Sequence, residues 1–135
     1  MKRWLLDTSA LLTLRDDEAG AQQVADLLAA ALAQQAECHA CFMTLMELTY
    51  RVWMDEGEPA ARLAHEQCLS LPLRWVHESP PLLWEAAQLK ALHRMSIADA
   101  WIAAAARLAG ATLVHKDPEF VPLDLPQLKL PFKSP

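Results

Sequence analysis

Short apolar runs alternate with longer amphipathic stretches along this chain of 135 residues. A short apolar run bounded by polar or turn residues is typical of a strand that is buried on both faces. The runs predict four such strands, followed by a short edge strand in a tail interrupted by prolines. The predicted strands are Lys2–Leu6, Glu37–Phe42, Leu73–Val76, Thr112–His115 and, at the edge, Gln127–Leu130.

Between these strands, apolar residues recur at helical spacing, as Val24, Leu28 and Leu32 do. The amphipathic stretches predict the helices Thr8–Leu14, Glu18–Gln35, Thr44–Asp55, Pro59–Leu71, Pro80–Leu92 and Ser96–Ala109. Strands that alternate with helices along the whole chain indicate a parallel sheet covered on both faces. We therefore predict a three-layer α/β/α fold with a central parallel sheet of four to five strands, formed by residues 1–135 as a single domain.

Composition narrows the class of protein. Hydrophobic residues make up 53% of the chain, which favours a packed core over disorder. No apolar run is long enough to cross a bilayer, and the apolar start of the chain meets Asp7 too early for a signal-peptide core. A cytoplasmic protein that makes no membrane contact is the expectation.

The three cysteines, Cys38, Cys41 and Cys68, do not suggest a disulfide framework, because their number is odd. Cys38 and Cys41 have the spacing of a redox or zinc pair, but they lie on a predicted strand, where residues three apart face opposite sides. We expect buried, reduced thiols.

The formal net charge of −5 argues against a surface that holds nucleic acid by bulk attraction. It is compatible with a nuclease that uses a divalent cation, because such a cation bridges carboxylates and phosphates. Charge alone therefore does not decide the function.

Four acidic residues lie just after predicted strands or in the first turn of predicted helices. Asp7 directly follows the first predicted strand and Asp117 shortly follows the fourth, while Glu47 lies about one helical turn past the second. Asp99 lies in the first turn of the helix that leads into the fourth strand. Because ligands of such sheets bind beyond the carboxyl ends of the strands, we expect the four carboxylates to converge there.

Each acid also has a purely structural interpretation. Asp7 can cap the helix that follows it, and Asp117 before a proline can be a turn residue. Glu47 and Asp99 each stand three residues after a hydroxyl residue, as in a capping box. Their occurrence together at one edge is harder to explain in this way. Clustered carboxylates repel each other by about 4 kcal/mol per close pair, which a hard cation would offset.

Four segments of the chain resemble, in order and spacing, the four motifs of PIN domains. They are Leu5–Leu12, Thr44–Leu48, Ser96–Ala104 and Leu113–Phe120. Each motif alone is weak, but the ordered set is specific and spans nearly the whole chain. Within that family, the chain is most similar to the VapC-type toxins of bacterial toxin–antitoxin pairs.

The resemblance implies a metal-dependent endoribonuclease that hydrolyses RNA phosphodiesters. It places Asp7, Glu47, Asp99 and Asp117 around Mg²⁺ or Mn²⁺, with Ser9 as the hydroxyl that supports the first aspartate. It also implies two protein partners, a second copy of the chain in a homodimer and a cognate antitoxin with a basic segment.

One residue departs from the family pattern. His115 stands two residues before the fourth acid, where the family commonly has a threonine. The fourth position is therefore the least secure, and Glu119 could share or take the role of Asp117. His39 and His115 fall on apolar strands and are interpreted as structural.

Three basic residues, Arg15, Arg51 and Lys116, are candidates for phosphate contacts, although solvated surface charge is the better account of any one of them taken alone. Two other functions remain open. In a non-catalytic binding module the acids would serve only as helix caps. In a metal-dependent phosphatase Asp7 would be the nucleophile, but that chemistry usually needs a second aspartate where this chain has Ser9.

Overall fold

A five-stranded sheet forms the centre of the protein in a computed structural model that describes residues 1–132. The strands are β1 (Arg3–Leu6), β2 (Glu37–Cys41), β3 (Arg74–Val76), β4 (Thr112–His115) and β5 (Gln127–Lys129). They lie in the order β3-β2-β1-β4-β5, and every neighbouring pair is parallel. The short edge strand predicted in the tail is therefore confirmed.

Six helices cover the two faces of this sheet. They are α1 (Thr8–Arg15), α2 (Ala21–Leu32), α3 (Phe42–Glu56), α4 (Glu58–Leu69), α5 (Pro80–Leu92) and α6 (Ile97–Ala109). A 3-10 helix, Pro118–Phe120, follows β4. Among the described residues, none of these helices has the length and apolar character that crossing a membrane requires.

The sheet separates two hydrophobic cores. One core packs α5 and α6 against the sheet, and the other packs α1 to α4 against the opposite face. Because successive strand residues point to opposite faces, Leu5 lies in the first core and Leu6 in the second, and Leu113 and Val114 divide in the same way. The predicted three-layer α/β/α fold is confirmed.

Helix α6 lies against the middle of the sheet because its inner face is built from small residues. Ala103, Ala104, Ala105 and Ala106 are all fully buried, as is Ile102 beside them. Alanine has the highest helix propensity and lets the helix axis approach the strands closely. This close packing fixes the start of α6, where Asp99 lies, at one edge of the sheet.

The boundary between β2 and α3 differs from the prediction. The strand ends at Cys41, and the helix begins at Phe42 rather than at Thr44. Thr44 is fully buried inside the first turn, where the Thr8 hydroxyl donates a hydrogen bond to its Oγ1 over 3.2 Å. The prediction that Thr44 caps this helix was therefore wrong, and Glu47 lies in the second turn.

Helix α2 is shorter than the predicted Glu18–Gln35. It begins after Gly20, whose φ of 101° requires a residue without a side chain, and it ends at Leu32. The residues after it fold into a tight turn in which Gln34 has a φ of 61°. At the end of α2, local helix propensity is overridden by the need to return the chain to β2.

The three cysteines are free and buried, as predicted. Cys38 and Cys41 lie in the two different cores, on opposite faces of β2. Burial raises the pKa of each of the three thiols to about 11. They are therefore neutral at physiological pH and contribute to packing rather than to redox chemistry.

Candidate active site

The strand order reverses direction between β1 and β4, which lie side by side in the middle of the sheet. In open parallel sheets the crevice at such a switch point is the usual ligand site, at the carboxyl ends of the strands. Asp7 follows β1 here, the loop carrying Asp117 and Glu119 follows β4, and the N-terminus of α6 brings Asp99 to the same edge.

Asp7 is held rigidly at the end of β1. Its backbone N–H donates to the carbonyl of Val114 on the neighbouring strand at 3.0 Å. It also caps α1, because its Oδ2 accepts hydrogen bonds from the backbone N–H of Ser9 at 3.0 Å and from the Ser9 hydroxyl. Asp7 therefore acts as a helix cap, as the structural interpretation of the sequence predicted. The cap uses only one of its two carboxylate oxygens.

The second oxygen of Asp7 has no protein partner. The side chain is only 3% exposed, and Oδ1 is the one buried side-chain polar atom without a hydrogen bond among the described residues. Leaving a buried acceptor unsatisfied costs about 1–3 kcal/mol, and more for a charged group. An atom of this kind points to a missing ligand or to a cost that function imposes.

Ser9 links Asp7 to the strand on the other side of the switch point. Its hydroxyl donates to Asp7 and accepts a hydrogen bond from the backbone N–H of Lys116 at 2.9 Å. One small side chain thereby fixes the first acid relative to the loop that carries the fourth. The supporting role expected for Ser9 stays a prediction, for which these two contacts supply the geometry.

Asp99, Asp117 and Glu119 form the tightest group of carboxylates. One oxygen from each lies within 4.8 Å of the others. Asp99 is 7% exposed and lies in the first turn of α6, whose N-terminus is capped by Ser96 through the backbone N–H of Asp99 at 3.0 Å. The cap therefore uses the Asp99 backbone and leaves its carboxyl group facing the other acids.

The turn after β4 brings Glu119 back toward Asp117. Asp117 Oδ1 accepts a hydrogen bond from the backbone N–H of Glu119 at 3.0 Å, which starts the 3-10 helix. Asp117 is thus a turn residue and also a member of the acid group. Glu119, which the sequence offered as an alternative to Asp117, joins it in the structure.

The electrostatics of the site oppose full ionisation. Burial, together with the charges of Glu47 and Asp117, raises the pKa of Asp7 to about 6, although the Ser9 hydrogen bonds lower it. Burial also raises the pKa of Asp99 to about 8, assisted by the nearby acids and by a hydrogen bond with Glu119. The protein alone therefore does not compensate the negative charge that it gathers here.

Glu47 lies outside the group of three carboxylates. It is half-buried on α3, and its charge raises the pKa values of both Asp7 and Asp99. It therefore shares the electrostatic field of the site without joining the tightest group.

The donor set fits a hard divalent cation. The cluster offers only carboxylate oxygens, the ligands that Mg²⁺ and Mn²⁺ prefer. The unpartnered Asp7 Oδ1 and the raised pKa values of Asp7 and Asp99 describe a site whose charge lacks a counterion. On these observations the residues present suit the metal that the sequence resemblance implies.

A cavity of about 300 Å³ opens beside the acids, between α1, α3 and the loop after β4. All three candidate phosphate-binding cations line it, but two are already engaged. Arg15 pairs with Glu56 at 2.6 Å, and Lys116, whose side chain is only 5% exposed, lies 3.5 Å from Glu18. Arg51 is exposed and forms no ion pair within residues 1–132.

His115 is fully buried directly behind the acidic loop. Its Nδ1 accepts a hydrogen bond from the backbone N–H of Asp117 at 3.0 Å, and its Nε2 lies 2.8 Å from Gln127 Oε1. Burial lowers the pKa of the ring, which is therefore neutral at pH 7. Sequence reasoning treated His115 as structural and gave no sign of Gln127, because nothing in the pattern links the two positions.

A parallel α/β sheet with an acidic switch point defines a class to which many nucleases belong. The family model of the PIN domain matches residues 4–124, which is most of the sequence. The chain therefore belongs to the PIN domain family. Among curated proteins, none matches the sequence closely enough to count as a relative.

Solved structures share this fold. A VapBC complex from Rickettsia felis, bound to a DNA fragment from its promoter, superposes with a TM-score of 0.77 at 18% identity, covering 96% of this chain and 99% of that chain. A DNA-bound VapBC from Salmonella typhimurium gives 0.74 at 18% identity over 96% and 98% of the two chains. A VapC toxin from Mycobacterium tuberculosis, described as cleaving the sarcin–ricin loop, gives 0.67 at 22% identity over 87% and 92%.

Proposed function

We propose that this protein is a metal-dependent endoribonuclease that hydrolyses RNA phosphodiesters and is the toxin of a toxin–antitoxin pair. The observation that carries the proposal is the tight group of carboxylates from Asp99, Asp117 and Glu119, at the same sheet edge where the buried Asp7 Oδ1 has no hydrogen-bond partner. Membership of the PIN domain family supports a nuclease. The toxins and toxin–antitoxin complexes among the structures of the same fold support the biological role.

In this proposal Asp7, Asp99 and Asp117 hold Mg²⁺ or Mn²⁺, and Glu119 shares the position of Asp117. Glu47 belongs to the catalytic set through its charge, which acts on both Asp7 and Asp99. A bound divalent cation supplies a nucleophilic water at neutral pH and stabilises charge that develops on the phosphate.

The protein's own contribution is positioning and electrostatics. Ser9 keeps Oδ2 of Asp7 occupied, so that Oδ1 is the oxygen left free for a ligand. The cap that Ser96 forms with the Asp99 backbone leaves the Asp99 carboxyl group aimed at the cluster. Arg51, at the adjoining cavity, is the cation available for a phosphate of the RNA.

Two protein partners belong to this proposal, a cognate antitoxin and a second copy of the chain in a homodimer. Four apolar residues are exposed on one side of α3: Met46, Tyr50, Trp53 and Met54. A contiguous apolar patch of this kind marks a protein interaction surface. The acidic site favours an antitoxin segment that is basic. We propose a cytoplasmic location, where RNA and such a partner occur together.

The test of the activity is cleavage of a single-stranded RNA oligonucleotide by purified protein with Mg²⁺, with Mn²⁺ or with excess EDTA. We expect cleavage only with a divalent cation, and an Asp7→Asn variant should lose at least a hundredfold in rate. Asp26→Asn is the matched control, because Asp26 is exposed on α2. Undiminished cleavage in EDTA would contradict the proposal, and hydrolysis of p-nitrophenyl phosphate with none of RNA would indicate a phosphatase.

The partners need separate measurements. Light scattering after size-exclusion chromatography gives the oligomeric state, which we expect to be a dimer. Co-expression with the product of an adjacent upstream reading frame should yield a complex that no longer cleaves RNA. A monomer at micromolar concentration would contradict the homodimer. A neighbour that neither co-purifies nor inhibits would contradict the antitoxin.

A further inference from the structure

The feature that the proposed mechanism leaves unused is the side-chain pair of His115 and Gln127. His115 is the last residue of β4, and Gln127 is the first residue of the neighbouring strand β5. Between them in sequence lies the loop that carries Asp117 and Glu119. The two side chains thus connect the start of that loop to its end.

The orientation of the Gln127 amide is fixed by the loop backbone. Its Nε2 donates hydrogen bonds to the carbonyls of Phe120 at 2.9 Å and of Leu123 at 3.2 Å. Because a carbonyl oxygen can only accept, the amide nitrogen must face these two groups. The amide oxygen Oε1 therefore faces His115, with Nε2 of the ring at 2.8 Å.

This orientation determines the protonation of the imidazole ring. Gln127 Oε1 can only accept, so Nε2 of His115 carries the proton. The backbone N–H of Asp117 points at Nδ1 over 3.0 Å, so Nδ1 must be the unprotonated acceptor. In a doubly protonated ring, the N–H at Nδ1 would face the backbone N–H of Asp117. In the opposite tautomer, Nδ1–H would face that N–H and the bare Nε2 would face the amide oxygen of Gln127, so both hydrogen bonds would be lost.

The neutral ring acts on the acidic loop from behind. The Asp117 backbone is held by His115, the preceding Lys116 N–H by Ser9, and the Glu119 N–H by Asp117 itself. The ring of Phe120 packs edge-on against the imidazole with a centroid distance of 5.1 Å. Both acids of the loop are therefore fixed relative to β4 by a chain of hydrogen bonds that passes through one imidazole.

We propose that His115, oriented by Gln127, is a positioning residue that fixes Asp117, and through it Glu119, in the geometry that binds the divalent cation. The inference rests on the proposed function, because it assigns these acids to the metal. Partners that orient metal ligands typically change affinity by about 10–100-fold when they are removed. We expect an effect of at least about tenfold on the Mn²⁺ dissociation constant.

A matched pair of substitutions isolates the hydrogen bond. Asn at position 115 can accept the N–H of the residue two positions later, as in an Asx-turn, whereas Leu has nearly the same shape and no acceptor. Both are smaller than His and too short to reach Gln127, so both lose similar packing. In His115→Asn the buried amide NH₂ group has no acceptor within reach, which makes this variant the less stable of the two.

Mn²⁺ binding is measured by titration calorimetry, and stability by thermal melting in EDTA. We expect His115→Leu to weaken Mn²⁺ binding at least about tenfold and His115→Asn to stay within about threefold of the wild type. His115→Asn should nevertheless melt at or below the temperature of His115→Leu. If His115 contributed only packing, Mn²⁺ affinity would follow stability. His115→Asn, the less stable variant, would then bind Mn²⁺ more weakly than His115→Leu.

Gln127→Met is the second test and decides the matter if neither His115 variant folds. Methionine keeps the length of the side chain but has neither the amide oxygen that faces His115 nor the amide nitrogen that donates to the loop carbonyls. We expect Mn²⁺ binding to weaken at least about fivefold. Wild-type affinity in the folded variants would overturn the positioning role while leaving the proposed nuclease intact. Wild-type protein that binds no Mn²⁺ and cleaves no RNA would instead overturn the proposed function, and this inference with it.

Discussion

One carboxylate oxygen of Asp99 lies within 4.8 Å of one from Glu119 at the carboxyl edge of the sheet. Burial and the nearby acids raise the pKa of Asp99 to about 8, so the metal-free protein holds a proton there at neutral pH. A bound cation would replace that proton, since metal ligands must be deprotonated. Proton and metal therefore compete for the same oxygens, and this competition gives the site measurable signatures.

Substitution of Asp99 by Asn should stabilise the metal-free protein at pH 8 and abolish RNA cleavage. The change removes one charge from a repelling group, while the cap of α6 is kept because Ser96 bonds to the Asp99 backbone. Thermal melts in EDTA should show a rise of several degrees. Added Mn²⁺ should raise the melting temperature of the wild type more than that of Asp99→Asn.

The capping interpretation of Asp99 gives the opposite sign. A neutral amide would lose the favourable interaction of a carboxylate with the helix dipole, worth about 0.3–1 kcal/mol. A variant that melts below the wild type in EDTA, with an equal response to Mn²⁺, would identify Asp99 as a helix cap and not as a ligand.

The stability of the metal-free protein should fall between pH 6.5 and pH 8. The pKa of Asp99 is raised from 3.8 to about 8, so the folded state binds more protons than the unfolded state across this interval, and the free energy of unfolding falls as pH rises. The slope is at most about 1.4 kcal/mol per pH unit. Melting in EDTA should therefore drop by about 5 °C.

This interval is chosen because other groups act mainly below it. The lowered pKa of His115 makes stability rise with pH mainly below 6.5, and the raised pKa of Asp7 makes stability fall with pH mainly below about 6. Asp99→Asn should flatten the profile, and saturating Mn²⁺ should reverse it, because metal affinity rises as the ligands lose their protons. A flat profile for the metal-free wild type would show that Asp99 is ionised throughout.

Substitution of Ser9 by Ala should reduce cleavage about 10–100-fold while costing only about 1 kcal/mol of stability. It removes the hydroxyl that donates to Asp7 and accepts from the Lys116 backbone, so the first acid is no longer fixed to the loop of the fourth. The hydrogen bond from the Ser9 hydroxyl lowers the pKa of Asp7, so its loss should also shift the pH–rate profile upward, although the backbone N–H at position 9 still donates to Asp7.

Ser70→Ala is the matched control for this change. Ser70 directly follows α4, and its exposed hydroxyl donates a hydrogen bond to the carbonyl of Gln67 in that helix at 2.7 Å. It should leave both cleavage and the pH profile unchanged. An equal loss of activity in the two variants would mean that Ser9 acts through general stability.

The sheet, its helices and the meeting of Asp99 and Asp117 at one sheet edge could be predicted because they depend on periodicity and on topology. The start of α3 could not. Thr44 and Glu47 have the spacing of a capping box, but Thr44 is drawn into the core by its contact with Thr8 on another helix. Local signals of this kind fail where a distant segment supplies a better partner.

Within the site, too, local contacts could be predicted from the sequence, and contacts between distant segments could not. Ser9 and Asp7 are two residues apart, so their hydrogen bonds follow from local geometry. The engagement of Lys116 with Glu18 and Ala19, and of Arg15 with Glu56, depends on how helices pack around the cavity. Two of the three predicted phosphate-binding cations are consequently occupied within the protein, which only the folded arrangement could reveal.

Ser9 and Lys116, the two residues joined across the switch point, are 107 positions apart in the chain. A nascent chain on the ribosome therefore carries Asp7 and Ser9 well before the strand β4, which completes the centre, has been synthesised. Ribosome-released fragments that stop before β4 should bind no Mn²⁺ and cut no RNA. Under the proposed function, translation that stops before β4 thus yields a harmless polypeptide, and toxicity begins only once β4 and the loop after it have been made.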